Sequence, residues 1–206
     1  MIFRLILLAV LTYFIASVNS SMIISRNVFQ NDVRHALSYS RMFELHNRKG
    51  VIYLVAVEFF KAMVVVIIGG LCLRGPGFPS VGKLTAVLIS LLAQARPFFN
   101  GFKPYRNVVW PALLVLMYDW RICLICVVVF AVAVAVTRLV SLGACAAAAA
   151  FPILVAIFGG WWLKILLALM CAAAVIYIYR SGLMRFLAKM KKEPSPKEDG
   201  PAAAAA

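Results

Sequence analysis

Long apolar stretches separated by basic gaps constrain this chain more than any single motif does. Fifteen of the twenty-one Lys and Arg residues lie in alternate gaps. These gaps are 26–49, 96–106, the single Arg138 and the tail from Arg180. Cytoplasmic loops of membrane proteins concentrate Lys and Arg, so the basic gaps are expected to face the cytoplasm. The pattern predicts seven membrane crossings, with the N-terminus outside and the C-terminus cytoplasmic.

The composition excludes an ordinary soluble domain. Hydrophobic residues make up 65% of the 206 residues, and the mean hydropathy is +0.97. An apolar helix needs roughly 20 residues to cross the hydrocarbon core. The candidate spans are about 2–25, 50–73, 80–98, 107–120, 121–138, 139–160 and 161–180. The fourth span is short and contains Pro111, so we expect it to be tilted, broken or re-entrant.

The spans predict an all-α integral membrane protein with one polytopic domain, residues 1–189. The charged, Pro- and Ala-rich tail 190–206 is expected to be flexible. The first span could be mistaken for a secretory signal, but its apolar run continues to Ile24, which is long enough to cross. The net charge of +14 reflects membrane sidedness. Because no soluble domain is left to carry a basic face, the sequence predicts no nucleic-acid partner.

The five cysteines fall in or beside apolar spans. Cys123 and Cys126 have a C-x-x-C spacing, but no second pair follows and neither His is near in sequence. A zinc site therefore lacks ligands, and a small apolar role is favoured. The sequence predicts no metal and no cofactor.

Glu58 and Lys61 are the charged residues placed deepest within a span. Three residues apart, they share a helix face and can neutralise each other. They are either an ion pair that locks this helix to a neighbour or a pair that borders a polar cavity. Near the inner end of the first span, Asn19, Ser20 and Ser21 are expected to hydrogen-bond between helices.

Basic and hydroxyl side chains at the cytoplasmic boundaries form a candidate anion site. Their positions allow them to converge on one phosphate or lipid headgroup. The alternative is that they anchor the protein to anionic lipids. The candidate residues are Lys103, Arg106, Arg138, Ser141 and Arg180.

Contact with a membrane-protein partner or a second copy is predicted at two places, in addition to contact with membrane lipids. Ala147 and Ala148 belong to a small-residue stretch that permits close helix approach. Trp161 and Trp162, at an outer boundary, offer large rigid contact surfaces. For the two tryptophans, anchoring at the membrane interface is the alternative.

Three segments in the N-terminal third match motifs of one enzyme family in their order. Residues 16–26 contain A-S-V-N and I-I-S-R, similar to G-S-I-N and I-S-R. Residues 32–34 (D-V-R) resemble D-I-R. Residues 58–62 (E-F-F-K-A) resemble D-x-x-K-G.

Three more matches follow in the rest of the chain. Residues 97–103 (P-F-F-N-G-F-K) resemble the end of G-H-x-F-P-x-F-x-G-F-K, and residues 137–142 (T-R-L-V-S-L) resemble T-R-Y-V-S-L. Residues 175–180 fit the last helix, I-Y-R-H-R-E-N. The chain thus resembles the bacterial acyl-phosphate:glycerol-3-phosphate acyltransferases, the PlsY-type family. The resemblance implies a seven-helix, multi-pass protein of the inner (plasma) membrane. It further implies a cytoplasmic-side site that makes lysophosphatidic acid from acyl phosphate.

The chain departs from this family in its glycine-rich and polar motifs. No glycine lies between Val28 and Lys49, where the family has G-S-G-N-x-G-A-T-N. Gln94 stands where the family has His, and the segment from Ile178 lacks the His, Glu and Asn of R-H-R-E-N. Three other motif glycines are replaced, by Pro104, Tyr105 and Asn107. Glycine loops can bring backbone N–H groups close to phosphate.

These departures lead to the first hypothesis, in which no residue is catalytic. The chain would be a catalytically degenerate member of the family, acting as a structural, lipid-binding or regulatory subunit of a membrane complex. The alternative is a divergent but active glycerol-3-phosphate acyltransferase in phospholipid biosynthesis. A small transporter or channel is less favoured, because no strongly polar stripe follows the spans.

Overall fold

Eight α-helices make up the part of the chain that the structure describes. The computed structural model describes residues 2–30, 39–73, 78–98, 107–159 and 161–190. In chain order the helices are α1 (Ile2–Ser17), α2 (Ser20–Asn27), α3 (Tyr39–Cys72), α4 (Phe78–Ala95), α5 (Val109–Tyr118), α6 (Trp120–Thr137), α7 (Val140–Gly159) and α8 (Trp162–Met190). The predicted all-α class is confirmed. Lys103, Arg106 and the tail beyond Met190 lie outside the described residues.

Five of the described helices, α3, α4, α6, α7 and α8, contain segments long and apolar enough to cross a membrane. Helices α1 and α2 pass the same test only together, as a span bent by 48°. Helix α5 has ten residues. At a rise of 1.5 Å per residue it is about 15 Å long, roughly half the thickness of the hydrocarbon core. The short fourth span is therefore confirmed, whereas the number of crossings and their direction stay predictions.

The first span is broken, which the sequence analysis did not predict. Helix α1 ends at Ser17, and Asn19 has an extended backbone (φ −87°, ψ 96°) before α2 begins. The side chain of Asn19 accepts a hydrogen bond from Ser21 Oγ at 2.9 Å. The break falls in the polar segment 17–21, where Ser and Asn side chains can bond to nearby backbone groups and so compete with the helix.

Two residues with positive φ interrupt or end helices. Asn47 (φ 55°, ψ −159°) forms a kink inside α3, in a backbone conformation that residues other than glycine rarely adopt. Arg138 (φ 55°, ψ 20°) terminates α6, and its N–H donates to the Val134 carbonyl at 2.7 Å. A single left-handed residue is a common way to end a helix. It lets α7 start at Val140, so the nearly loop-free junction expected there is confirmed.

Glycines let α3 and α4 approach each other at backbone distance. A Cβ added to Gly69 would lie 2.7 Å from both the Gly82 carbonyl oxygen and the Ala86 Cβ. A substituted side chain would therefore force the helices apart. This close packing holds α4 at the centre of the bundle, against α1, α3 and α8.

The alanine-rich stretch of α7 packs inside the bundle. Ala148 is buried in the core, and Ala147 lines an internal cavity. The Sγ atom of Cys126 on α6 lies 3.9 Å from the Ala147 carbonyl oxygen. By contrast, Trp161 and Trp162 are exposed at the turn between α7 and α8. The close approach predicted for this stretch therefore occurs between helices of the same chain, and the predicted partner stays a prediction.

Candidate active site

Lys61 ties α3 to the break between α1 and α2. Its Nζ donates to the Val18 carbonyl at 2.8 Å and to Ser20 Oγ at 3.3 Å. The helical hydrogen-bond ladder is interrupted at this break, and backbone carbonyls at membrane depth need donors. The same Nζ lies 4.5 Å from the ring centroid of Trp110, within the range of a cation–π contact. The predicted interhelical hydrogen bond of Ser20 is confirmed.

Glu58 holds the start of α5. Asn107 Nδ2 donates to both carboxylate oxygens of Glu58, at 2.8 and 2.7 Å, and both side chains are buried. The Oδ1 of Asn107 accepts from the N–H groups of Val109 and Trp110 at 3.0 and 3.4 Å. This side-chain-to-backbone turn supplies acceptors for the first N–H groups of the helix. Asn107 thus caps α5 and satisfies a buried carboxylate at the same time.

Gln94, near the end of α4, completes the network. Its Nε2 donates to the Asn107 carbonyl at 3.1 Å. Its Oε1, like Ser17 Oγ, is buried without a hydrogen-bond partner among the described residues. Both side chains line a polar pocket of about 30 Å³ together with Glu58, Lys61 and Asn107. A pocket of this size has room for a water-sized polar group, and the lining offers it several polar contacts.

The structure refines the prediction for Glu58 and Lys61. They lie three residues apart on α3, on the same face of the helix. Each side chain also fixes a different neighbour: Lys61 the break after α1, and Glu58 the start of α5. Both side chains line the polar pocket. The predicted ion pair between them stays a prediction.

An apolar cavity of about 320 Å³ lies between α4, α5, α6, α7 and α8. One end is marked by Val108 at the start of α5 and by Tyr179. The other end reaches Cys123 near the start of α6, together with Phe151 and Cys171 in the middle of α7 and α8. The lining is almost entirely aliphatic and aromatic. Such a cavity suits a hydrocarbon chain.

The polar pocket and the apolar cavity lie on two sides of the start of α5. Asn107 lines the polar pocket, and the next two residues, Val108 and Val109, line the apolar cavity. Trp110 lies against Lys61 on the polar side, whereas Pro111 faces the apolar side. The first turn of α5 thus separates a small polar pocket from a larger apolar cavity.

The described members of the candidate anion site lie near helix ends. Arg138 is the exposed residue that ends α6, and Ser141 is partly buried in the first turn of α7. Arg180 is exposed on α8, with its guanidinium 4.6 Å from the ring centroid of Tyr177. Lys103 and Arg106 lie outside the described residues. The convergence of these five residues on one anion stays a prediction.

Two polar contacts were missed at the level of sequence. Asn107 was noted only as a replaced glycine, although a carboxylate as deep as Glu58 signals that a donor must come from another helix. The second contact joins Ser25 Oγ and His46 Nε2 at 3.1 Å, with Phe29 stacked on the imidazole at 4.0 Å. It fixes α2 against the kinked part of α3.

Sequence comparison decides the family. The model of the family described as glycerol-3-phosphate acyltransferase matches residues 6–189, nearly the whole described bundle. The chain belongs to this acyltransferase family. A glycerol-3-phosphate acyltransferase of Clostridioides difficile (strain 630) is 25% identical over 204 residues, covering 96% of this chain and 99% of the relative. One from Listeria monocytogenes (serovar 1/2a) is 25% identical over 194 residues, covering 90% and 94%.

Solved structures of the acyltransferase PlsY (YgiH), described as an integral membrane glycerol 3-phosphate acyltransferase, share the fold. The glycerol 3-phosphate form superposes with a TM-score of 0.69 and the lysophosphatidic acid form with 0.70. Each is 18% identical, with 90% of this chain and 92% of the solved chain covered. These likenesses and the apolar helices confirm the predicted family and its multi-pass inner-membrane location.

The hypothesis of a catalytically degenerate subunit is wrong. Its only basis was the loss of motif residues, whereas the acyltransferase relatives match almost end to end and carry the name of the enzyme. The structure also shows that two of the replacements, Gln94 and Asn107, belong to a hydrogen-bonded network with Glu58. Replacement within short motifs is therefore not evidence that the reaction was lost from this member of the family.

Proposed function

We propose that this chain is an active glycerol-3-phosphate acyltransferase. It transfers a fatty acyl group from acyl phosphate to glycerol 3-phosphate and releases lysophosphatidic acid and phosphate. A hydroxyl oxygen of the acceptor attacks the acyl carbonyl carbon, and the bond from that carbon to the phosphate oxygen breaks. The hydroxyl proton leaves with the phosphate. The reaction involves no change in oxidation state and is proposed without a cofactor.

The observation that carries this proposal is the apolar cavity of about 320 Å³ beside the start of α5, within a bundle of apolar helices. An acyl phosphate has a hydrocarbon chain of the kind that this lining can bury. The polar pocket on the other side of the turn has room only for a water-sized group, so the anionic head is not assigned to it. Burying the chain is favourable by about 0.8 kcal/mol for each methylene group removed from water.

The anionic ends of both substrates need cations, and the predicted anion site supplies them. We propose that Lys103, Arg106, Arg138 and Arg180 bind phosphate oxygens and that Ser141 donates a hydrogen bond. A hydrogen bond to a charged group contributes about 1.5–3 kcal/mol. Removing one such cation should therefore weaken glycerol 3-phosphate binding at least about tenfold.

Acyl transfer by the purified chain tests the proposal. The protein in lipid–detergent micelles is given acyl phosphate and radiolabelled glycerol 3-phosphate, and labelled lysophosphatidic acid is separated and counted. We expect the product to increase in proportion to the amount of protein. Product no greater than in the protein-free reaction would reject the proposed function.

Arginine variants test the cation site separately from the reaction. Arg138→Gln should raise the KM for glycerol 3-phosphate at least about tenfold. The matched control is Arg121→Gln, an exposed arginine in the first turn of α6, at the opposite end of that helix. If both variants kept the KM of the unmodified chain, Arg138 would only mark the cytoplasmic side of the membrane and would not bind glycerol 3-phosphate.

The membrane is the proposed source of the acyl substrate and the destination of the product. Contact with a protein partner is a separate proposal. Of the four predicted contact residues, Ala148 is buried and Ala147 half-buried, whereas Trp161 and Trp162 are exposed. Crosslinking in native membranes tests whether a second protein contacts these tryptophans. Identical crosslinking of a Trp161→Ala, Trp162→Ala double variant would exclude contact there.

A further inference from the structure

We propose that Glu58, Gln94 and Asn107 act together as positioning residues for the first turn of α5. This inference rests on the proposed acyl transfer, because that turn lines the cavity proposed for the acyl chain. None of the three residues need touch the substrate. Their proposed role is to fix the wall shared by the polar pocket and the apolar cavity.

The network reaches the turn from two other helices. Glu58 on α3 accepts both hydrogen bonds of the Asn107 amide, at 2.8 and 2.7 Å. Gln94 on α4 holds the Asn107 backbone carbonyl at 3.1 Å. Asn107 passes this restraint to α5 through Oδ1, which accepts from the N–H groups of Val109 and Trp110. The amide, the carbonyl and the first helical N–H groups are thus all held by directional bonds.

The same three positions depart from the motifs that the chain otherwise resembles. Glu58 stands for the Asp of D-x-x-K-G, Gln94 for the His of G-H-x-F-P, and Asn107 for a glycine. A glycine at position 107 would have no side-chain amide to donate to the carboxylate and no side-chain oxygen to accept from the start of α5. In this chain the three replaced positions form one hydrogen-bonded network that holds the turn.

The position of Asn107 explains how the network would influence the reaction. It is followed directly by Val108 and Val109 of the apolar cavity and preceded in sequence by Arg106. A shift of this turn would move the chain-binding wall relative to the polar pocket. A displacement of about 1 Å far from the chemistry can lower a rate about 100-fold.

A polarity swap tests the pairing directly. Glu58→Gln alone replaces the charged acceptor with an amide oxygen and so weakens the hydrogen bond from Asn107. Asn107→Asp alone places two carboxylates together and removes the donor. In the double variant, the new amide at position 58 can donate to the new carboxylate at position 107. That carboxylate still accepts from the Val109 N–H, and the total charge equals that of the unmodified pair. We expect each single variant to lower kcat per folded molecule at least about tenfold, and the double variant to recover to within about threefold of the unmodified chain.

A matched control and a second readout separate positioning from stability. Ser90→Ala removes a buried hydroxyl from α4, one turn before Gln94 and outside the network. It should leave kcat unchanged. If Asn107→Asp does not fold, Asn107→Ser keeps an acceptor for α5, loses the amide that binds Glu58, and should also lower kcat at least about tenfold.

Several outcomes would overturn the proposal. Single variants with normal kcat but lower thermal midpoints would make the network a stabilising contact only. A double variant no better than the product of the two single effects would show that the residues do not act as a pair. If the unmodified chain made no product, the proposed function would fail and the positioning role with it. Thermal midpoints of the four proteins would then still report whether the Glu58–Asn107 pair forms.

Discussion

Filling the apolar cavity should change the acyl-chain preference of the enzyme. Ala147 lines the cavity from α7, and Ala147→Leu would project three additional carbon atoms into it. A methylene group is similar in size to a water molecule, which occupies about 30 Å³. The cavity of about 320 Å³ therefore holds about ten methylene groups. The variant should therefore exclude about three methylene groups of a chain that fills the cavity.

The size of the effect follows from the buried surface. Each methylene group contributes about 0.8 kcal/mol when it is buried. Losing three costs about 2.4 kcal/mol, which corresponds to about a 50-fold loss in kcat/KM. A chain about half as long as the cavity should be nearly unaffected, because it does not reach the space that the leucine occupies.

The assay compares kcat/KM for a long and a short acyl phosphate in the same preparation. The matched control is Ala149→Leu, two residues further along α7, where the side chain is exposed. It adds the same three carbons outside the cavity and should leave the long-to-short ratio unchanged. An equal ratio in both leucine variants would refute the assignment of this cavity to the acyl chain.

Three further predictions follow from the polar contacts and from the charge pattern. Lys61→Met removes the donor to the Val18 carbonyl and should lower the unfolding free energy by about 1–3 kcal/mol. Lys83→Met, near the other end of the bundle, should leave thermal unfolding in detergent almost unchanged. Asn107→Gly restores a motif residue yet should lower kcat, because Glu58 loses its amide donor; unchanged kcat would contradict this. The variant Ser195→Cys, with the native cysteines replaced, should react with a membrane-impermeant reagent only after the cells are opened. Labelling of intact cells would contradict the predicted cytoplasmic C-terminus.

The membrane class and most helices could be predicted because they depend on local composition. Apolar runs of sufficient length and their basic flanks identify α3, α4, α6, α7 and α8 without knowledge of packing. The prediction failed between Ser17 and Ser20, where the backbone leaves the helix at a polar segment. The sequence analysis assigned these polar residues to contacts between helices and did not consider that the helix ends there.

Long-range partners and helix faces could not be predicted from spacing. The sequence placed Lys61 beside Glu58 because they are three residues apart, but the hydrogen-bond donor that Glu58 uses comes from Asn107, 49 residues away. Helix α7 is apolar all round, so no polar face shows which side of Ala147 and Ala148 is buried. The family resemblance was correct, but replaced motif residues suggested lost catalysis because their new hydrogen bonds are visible only in three dimensions.

Phosphate release that depends on the acceptor is the most direct measurement of the proposed reaction. The purified chain is given acyl phosphate with and without glycerol 3-phosphate, and free phosphate and lysophosphatidic acid are quantified in the same samples. We predict equal molar amounts of both products, formed only when the acceptor is present and greatly reduced in the Asn107→Asp variant. Phosphate release without lysophosphatidic acid, or no release above the protein-free rate, would contradict the conclusion that this chain is an active acyltransferase.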